Sequence, residues 1–200
     1  MQNTKEHILR TSLILFLQKS YKDVTMSEIV KKTGLSKGAF YHYFTGKEAL
    51  FKEIAMMFFT MGGIDYSNFS KTSLKAFYLQ YIDFLDNSLL EMNRMVQDSD
   101  KHATNINYFF ILFEAARRFP EFLKMELAFH KEDMEAWKSI IASARQNKEI
   151  KSHSTDEDIA NLFLYCTDGV FIRFINNDKQ DSFKTYLIHT YNTIYENLKV

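Results

Sequence analysis

One cysteine, Cys166, and one proline, Pro120, stand among 200 residues, with only six glycines. A single cysteine excludes an intrachain disulfide framework and any zinc site built from CxxC pairs. So little proline and glycine argues against a turn-rich sandwich or barrel, and equally against a glycine-rich dinucleotide fold. Long helices tolerate this composition best. No run stays apolar long enough to cross a bilayer, since the longest candidate, Ile159 to Ile175, is broken by Asp168 and Arg173. The N-terminus sets Lys5, Glu6 and Arg10 inside an amphipathic repeat and has no small-residue cleavage site. No signal peptide and no membrane partner are therefore expected, and the location expected is cytoplasmic.

Catalytic and metal-binding signatures are also missing. There is no P-loop, nucleophile elbow, GxGxxG or HExxH. His7, His42, His102, His130, His153 and His189 are scattered, with no H-x3-H pair. His130 with Glu132 and Asp133 reads as a solvated helix face. No enzyme activity, metal or cofactor is expected.

Net charge is zero, from 25 basic and 25 acidic residues, but it is unevenly distributed. Residues 1–60 hold nine Lys/Arg against five Asp/Glu, and residues 61–200 hold sixteen against twenty. A basic head on a mildly acidic body suits a polyanion-binding module.

Helix signals dominate, and the chain reads as all-α with about nine helices. Thr4 opens a first helix whose Ile8, Leu9, Leu13, Phe16 and Leu17 share a face, ending near Lys19–Tyr21. Thr25-Met-Ser-Glu28 forms a capping box for a second helix, which ends at Gly34. Ser36 caps a third, to about Tyr43. Thr45-Gly-Lys-Glu48 reads as another capping box, opening a fourth that stops at Gly62-Gly63. Asp65–Ser70 is a polar linker. Further helices are expected at about 71–94, 103–118, 120–147, 156–177 and 181–198. Pro120 suits the first turn of its helix, and Thr155-Asp-Glu-Asp158 is an acidic cap.

Residues 25–47 carry the information. Two short capped helices joined at a glycine make a helix-turn-helix pattern. In the second, Phe40 and Phe44 face inward, while Lys37, Gly38, Ala39, Tyr41, His42 and Tyr43 are poorly suited to a core. Small residues at a helix N-terminus allow close approach to base edges, and nearby hydroxyls and lysines suit phosphates. Lys31 and Lys32 read as a solvated face.

The run from Gly34 to Phe44, with Lys47-Glu48-Ala49-Leu50-Phe51 and the Thr25–Val30 segment, resembles the TetR family of bacterial transcriptional regulators over about residues 5–60. The resemblance implies a helix-turn-helix head in residues 1–47 and a ligand-binding and dimerisation domain in 48–200, with 48–62 as connecting helix. It implies a homodimer, a pseudo-palindromic double-stranded DNA operator, and repression relieved by a small-molecule effector. On these residues, Thr25 and Ser36 hold phosphates, and Lys37, Gly38 and Ala39 enter the major groove. Tyr41 and Tyr43 contact phosphate or thymine methyls beside His42, and Lys47 holds phosphate.

The body is aromatic-rich. Phe77, Tyr81, Phe84, Phe110, Phe113 and Trp137 fall on helical inner faces, where ordinary core packing competes with a ligand pocket. Asn107, Glu114 and His130 are candidate polar contacts for a small, largely apolar effector. The last two helices carry wide apolar faces. Leu162, Phe163, Cys166, Val170 and Phe174, with Leu187, Tyr191 and Ile194, are the expected dimer interface. Burial of both faces within one chain is the alternative. Two other functions fit the pattern: a TetR-like protein acting through protein partners, and an all-α hydrophobic-ligand binder without DNA binding.

Overall fold

The computed structural model describes residues 4–96, 106–175 and 183–200, with backbone only at 61–62, 93, 95–96, 106–109 and 174–175. Nine α-helices lie among the described residues: α1 Thr4–Gln18, α2 Met26–Thr33, α3 Lys37–Tyr43, α4 Lys47–Gly62, α5 Leu74–Val96, α6 Ile106–Arg118, α7 Pro120–Gln146, α8 Asp156–Ile175 and α9 Phe183–Leu198. The all-α expectation holds. The extended pairing among these residues is an isolated antiparallel bridge, Ile150 with Lys199. The expected helix starts near 103 and 181 and the expected helix end near 177 lie outside the described residues.

The chain forms two compact units. The first comprises residues up to Gly63 together with the stretch 91–126. Its core joins α1, α4 and α6 through Leu13, Phe16, Leu50, Phe51, Ile54 and Ile111, all buried. The second comprises residues 64–90 and 127–200. Trp137 sits at its centre, edge-on to Phe77 and Tyr81 at 5.0 and 5.2 Å and stacked on Phe163 at 4.8 Å.

The caps follow the sequence unevenly. Thr155 and Asp158 make a full reciprocal box: Asp158 N donates to Thr155 Oγ1 and Thr155 N to Asp158 Oδ2, both at 3.1 Å. Thr45 makes none, because α4 starts at Lys47 with Gly46 as its cap residue and no side-chain bond. The linker expected at Asp65–Ser70 instead holds a short 3-10 turn over Tyr66–Asn68. Tyr66 stacks on Phe77 of the aromatic core, Phe69 meets Phe77 edge to face, and the Tyr66 hydroxyl donates to Asp133 at 2.7 Å. Residues 71–73 form the approach to α5 rather than its first turn. The Glu149 carboxylate accepts from Leu74 N and Lys75 N at 2.9 and 3.1 Å, so a residue distant in sequence caps α5.

Candidate nucleic-acid interface

The head is assembled by its caps and two phenylalanines. Thr25 Oγ1 accepts from Glu28 N at 3.2 Å and starts α2. Glu28 does not complete the box; its carboxylate takes Lys19 Nζ at 2.5 Å, which holds that carboxyl below its usual range. Gly34 ends α2 at φ 68°, a left-handed conformation in which a Cβ is strained. Ser36 Oγ then accepts from Ala39 N at 3.2 Å and starts α3. Phe40 is fully buried and Phe44 nearly so, with rings 6.2 Å apart. These two fix which way α3 faces.

What α3 leaves outside is the expected surface. Lys37, Gly38, Ala39, Tyr41, His42 and Tyr43 are all exposed, as are Thr25 and Ser36. A Cβ built at Gly38 meets nothing within 4 Å, so packing within the head does not require glycine there. Tyr41 leans edge-on to Phe40, and Tyr43 to His42, so exposed rings are braced from beneath and beside. Lys37 Nζ lies 6.0 Å from the Tyr41 ring centroid. The surface thus offers a small, close-approach patch at the α3 N-terminus, a rigid aromatic shelf and cationic charge.

Lys47 is placed differently from the expectation of a free phosphate-holding ammonium. Its Nζ donates to the carbonyls of Tyr21 and Val24, each at 2.8 Å, and lies 4.4 Å from the Tyr21 ring centroid. Two of its three donors are therefore used to hold the turn that delivers Thr25. The Arg118 guanidinium also lies over the Tyr21 ring, 3.9 Å from its centroid, and Arg118 Nε is held by Glu114 at 2.6 Å. Burial raises the Tyr21 phenol, with Arg118 opposing. No spacing in the sequence announces this stack, whose members come from α6, the turn after α1 and the start of α4.

The candidate ligand residues divide between the two units. Phe77, Tyr81 and Trp137 belong to the second unit's packed aromatic core, with Phe84 half-buried and His130 exposed. The Trp137 indole N–H is buried without a hydrogen-bond partner among the described residues. Burial pushes the Tyr81 phenol far up. Phe110, Phe113 and Glu114 lie in the first unit and line a cavity of about 570 Å³. The Asn107 side chain lies outside the described residues.

The candidate interface residues also separate. Phe163, Leu187 and Tyr191 are fully buried in the second unit's own core, where the Tyr191 hydroxyl donates to the Phe163 carbonyl at 3.0 Å. They have no surface to offer a second subunit. Cys166, Val170 and Ile194 are half-buried, and burial pushes the Cys166 thiol up. Leu162 is half exposed and begins an outward stripe on α8 with Tyr165, Gly169 and Ile172. Of the residues expected on α8, Leu162 thus faces outward, and the stripe it begins continues through residues other than the expected Cys166 and Val170. The Phe174 side chain lies outside the described residues. Among the described residues no group of three or more His, Cys, Asp or Glu could hold a metal ion, and no helix is long and apolar enough to cross a membrane.

Comparison with known proteins matches part of the chain to a family. The family described as bacterial regulatory proteins, tetR family, matches residues 8–54. The uncharacterised HTH-type transcriptional regulator YerO of Bacillus subtilis (strain 168) is 48% identical over 50 residues, 25% of this chain and 17% of that protein. The HTH-type transcriptional repressor NemR of Escherichia coli (strain K12) is 45% identical over 47 residues, 24% of each chain. The chain thus covers less than a quarter of the length of these two curated relatives. Across the whole chain, the fold is similar to the crystal structure of the MbdR regulator from Azoarcus sp. CIB. That match has a TM-score of 0.68 at 20% identity, covering 99% of this chain and 100% of that one.

Proposed function

Because the chain belongs to the TetR family of bacterial regulatory proteins, we propose that it is a sequence-specific DNA-binding transcriptional regulator, a homodimeric repressor released by a small effector. The observation that carries this reading is the surface of α3: Phe40 and Phe44 face inward and every neighbour from Lys37 to Tyr43 faces out. In this reading residues 1–47 are the head, 48–62 the connecting helix, and the rest the effector and dimer domain. The protein works in the cytoplasm, with the DNA.

The α3 N-terminus enters the major groove, where Gly38 and Ala39 keep side-chain bulk from separating backbone and base edges. Thr25 and Ser36 each use a hydroxyl lone pair on their own helix, which leaves the O–H proton to donate to a phosphate oxygen. Tyr41 and Tyr43 reach phosphate or thymine methyls, with His42 between them, and Lys37 adds charge. Lys47 acts as a positioning residue, holding the turn before Thr25.

The homodimer is supported by the α8 stripe of Leu162, Tyr165 and Ile172, which are 50%, 61% and 57% exposed. An apolar stripe of that kind needs cover, and a two-fold pairing there gives one dimer two heads, as a two-fold operator requires. The repressor sign is supported by the description of the relative NemR as a transcriptional repressor. Nuclease footprinting of the DNA beside the chain's own gene tests the reading. Two protected half-sites related by a two-fold are expected, and protection without symmetry, or none, contradicts it.

A further inference from the structure

The cavity of about 570 Å³ in the first unit has the size of a small-molecule site. Its floor is apolar and rigid: Phe16, Phe51 and Ile111 are buried, and the first two rings meet edge to face at 5.0 Å. Its wall is formed by Phe110 and Phe113, which are 61% and 69% exposed. Phenyl rings exposed to that extent bury apolar area when a flat apolar surface covers them. The rim is cationic. Glu114 is more than neutralised, because Arg117 donates to it at 2.9 and 3.0 Å and Arg118 at 2.6 Å. Lys19 is engaged by Glu28, and Lys22 has no ion pair among the described residues. Uncompensated positive charge above an aromatic floor selects one ligand chemistry: fused or linked aromatic rings carrying a single carboxylate or sulfonate.

We propose that this cavity is an effector site for a flat aromatic anion, seated between α1, α4 and α6 with its charge at Lys22. The inference rests on the reading of the chain as an effector-released DNA-binding regulator. The site is joined to the head through one of its own lining residues. Tyr21 borders the cavity, and its carbonyl and ring are what Lys47 holds. A ligand that fills the cavity presses on residues 18–22, the turn that leads to Thr25 at the start of α2. It therefore favours a head geometry different from the one that DNA favours.

The test is a fluorescence titration of the full chain with anilinonaphthalene sulfonate, an aromatic anion, and with phenylnaphthylamine, the same rings without the sulfonate. No DNA is present, so the result stands whether or not the chain reads an operator. The proposal expects saturable binding of the sulfonate, weakened roughly tenfold by Phe113→Ala and by Phe110→Ala. It also expects tighter binding of the sulfonate than of the amine, a preference that Lys22→Gln abolishes. Sulfonate affinity unchanged in both phenylalanine variants, or equal affinity for the two dyes, overturns it. With DNA then added, dye and DNA must weaken each other by the same factor. Independent binding of the two removes the coupling to Tyr21.

Discussion

The Lys47 ammonium sits 4.4 Å above the ring of Tyr21 and donates to that residue's own carbonyl at 2.8 Å. One side chain thereby fixes both the ring and the backbone of the turn that precedes the helix-turn-helix. Arg118 also lies over the ring, 3.9 Å from its centroid, so α6 and α4 hold the same residue. Lys47→Ala is expected to lower the head's stability by roughly 1–3 kcal/mol, the scale of charged hydrogen bonds lost from a partly buried site. It should weaken DNA binding while leaving the salt dependence almost unchanged. A phosphate contact would instead flatten the salt slope by about one unit. Denaturant midpoints and a salt titration separate the two roles.

Gly38→Ala separates folding from reading. A Cβ there meets no atom of the chain within 4 Å, and alanine favours a helix over glycine by roughly 0.5–1 kcal/mol. The variant is expected to melt no lower than the parent and to bind DNA roughly tenfold more weakly, because the added methyl stands between the helix and base edges. Undiminished affinity would remove Gly38 from the interface.

Phe40→Ala and Tyr41→Ala form a matched pair of neighbours. Phe40 is fully buried, so its truncation should cost about 3–5 kcal/mol. Tyr41 is 38% exposed, and its loss should change stability by about 0.5 kcal/mol while weakening DNA binding. Equal losses of stability would mean that α3 is rotated relative to the geometry described above.

The helix pattern and the inward face of the head were open to a sequence reading because both are local. Thr25 and Ser36 cap their helices through amides three residues on, and Gly34 ends its helix through its own backbone. The Phe40–Phe44 spacing sets a face by periodicity alone. Contacts between distant segments left no such mark. Glu149 caps α5 from 75 residues away, and Arg118 reaches Tyr21 from another helix. Periodicity also fails where a helix is apolar on most sides. On α8, Phe163 faces the core and Leu162 faces out, and nothing local distinguishes the two. In the same way the aromatic residues of the body read as one set, although Trp137 is core and Phe113 is 69% exposed.

Acid should loosen the Arg118 grip on Tyr21. Arg117 first, and Arg118 with it, hold the Glu114 carboxyl below its usual range. A depressed folded-state pKa contributes stability that is fully present above the unfolded value, near 4.5, and is lost as pH falls through the folded value. Glu114→Gln should therefore be less stable than the parent at neutral pH, and the two should converge as pH falls below about 4. Parallel stability curves across that range would show that Glu114 does not brace Arg118.

The most direct measurement is a titration of the purified full chain against the DNA beside its own gene, at near-physiological salt, with scrambled DNA of equal length as control. Saturable binding, at least a thousandfold tighter than to the scrambled duplex and weakened roughly tenfold by Gly38→Ala and also weakened by Tyr41→Ala, is the predicted result. Equal affinity for both duplexes, unaffected by either substitution, would contradict the assignment of α3 as the reading helix.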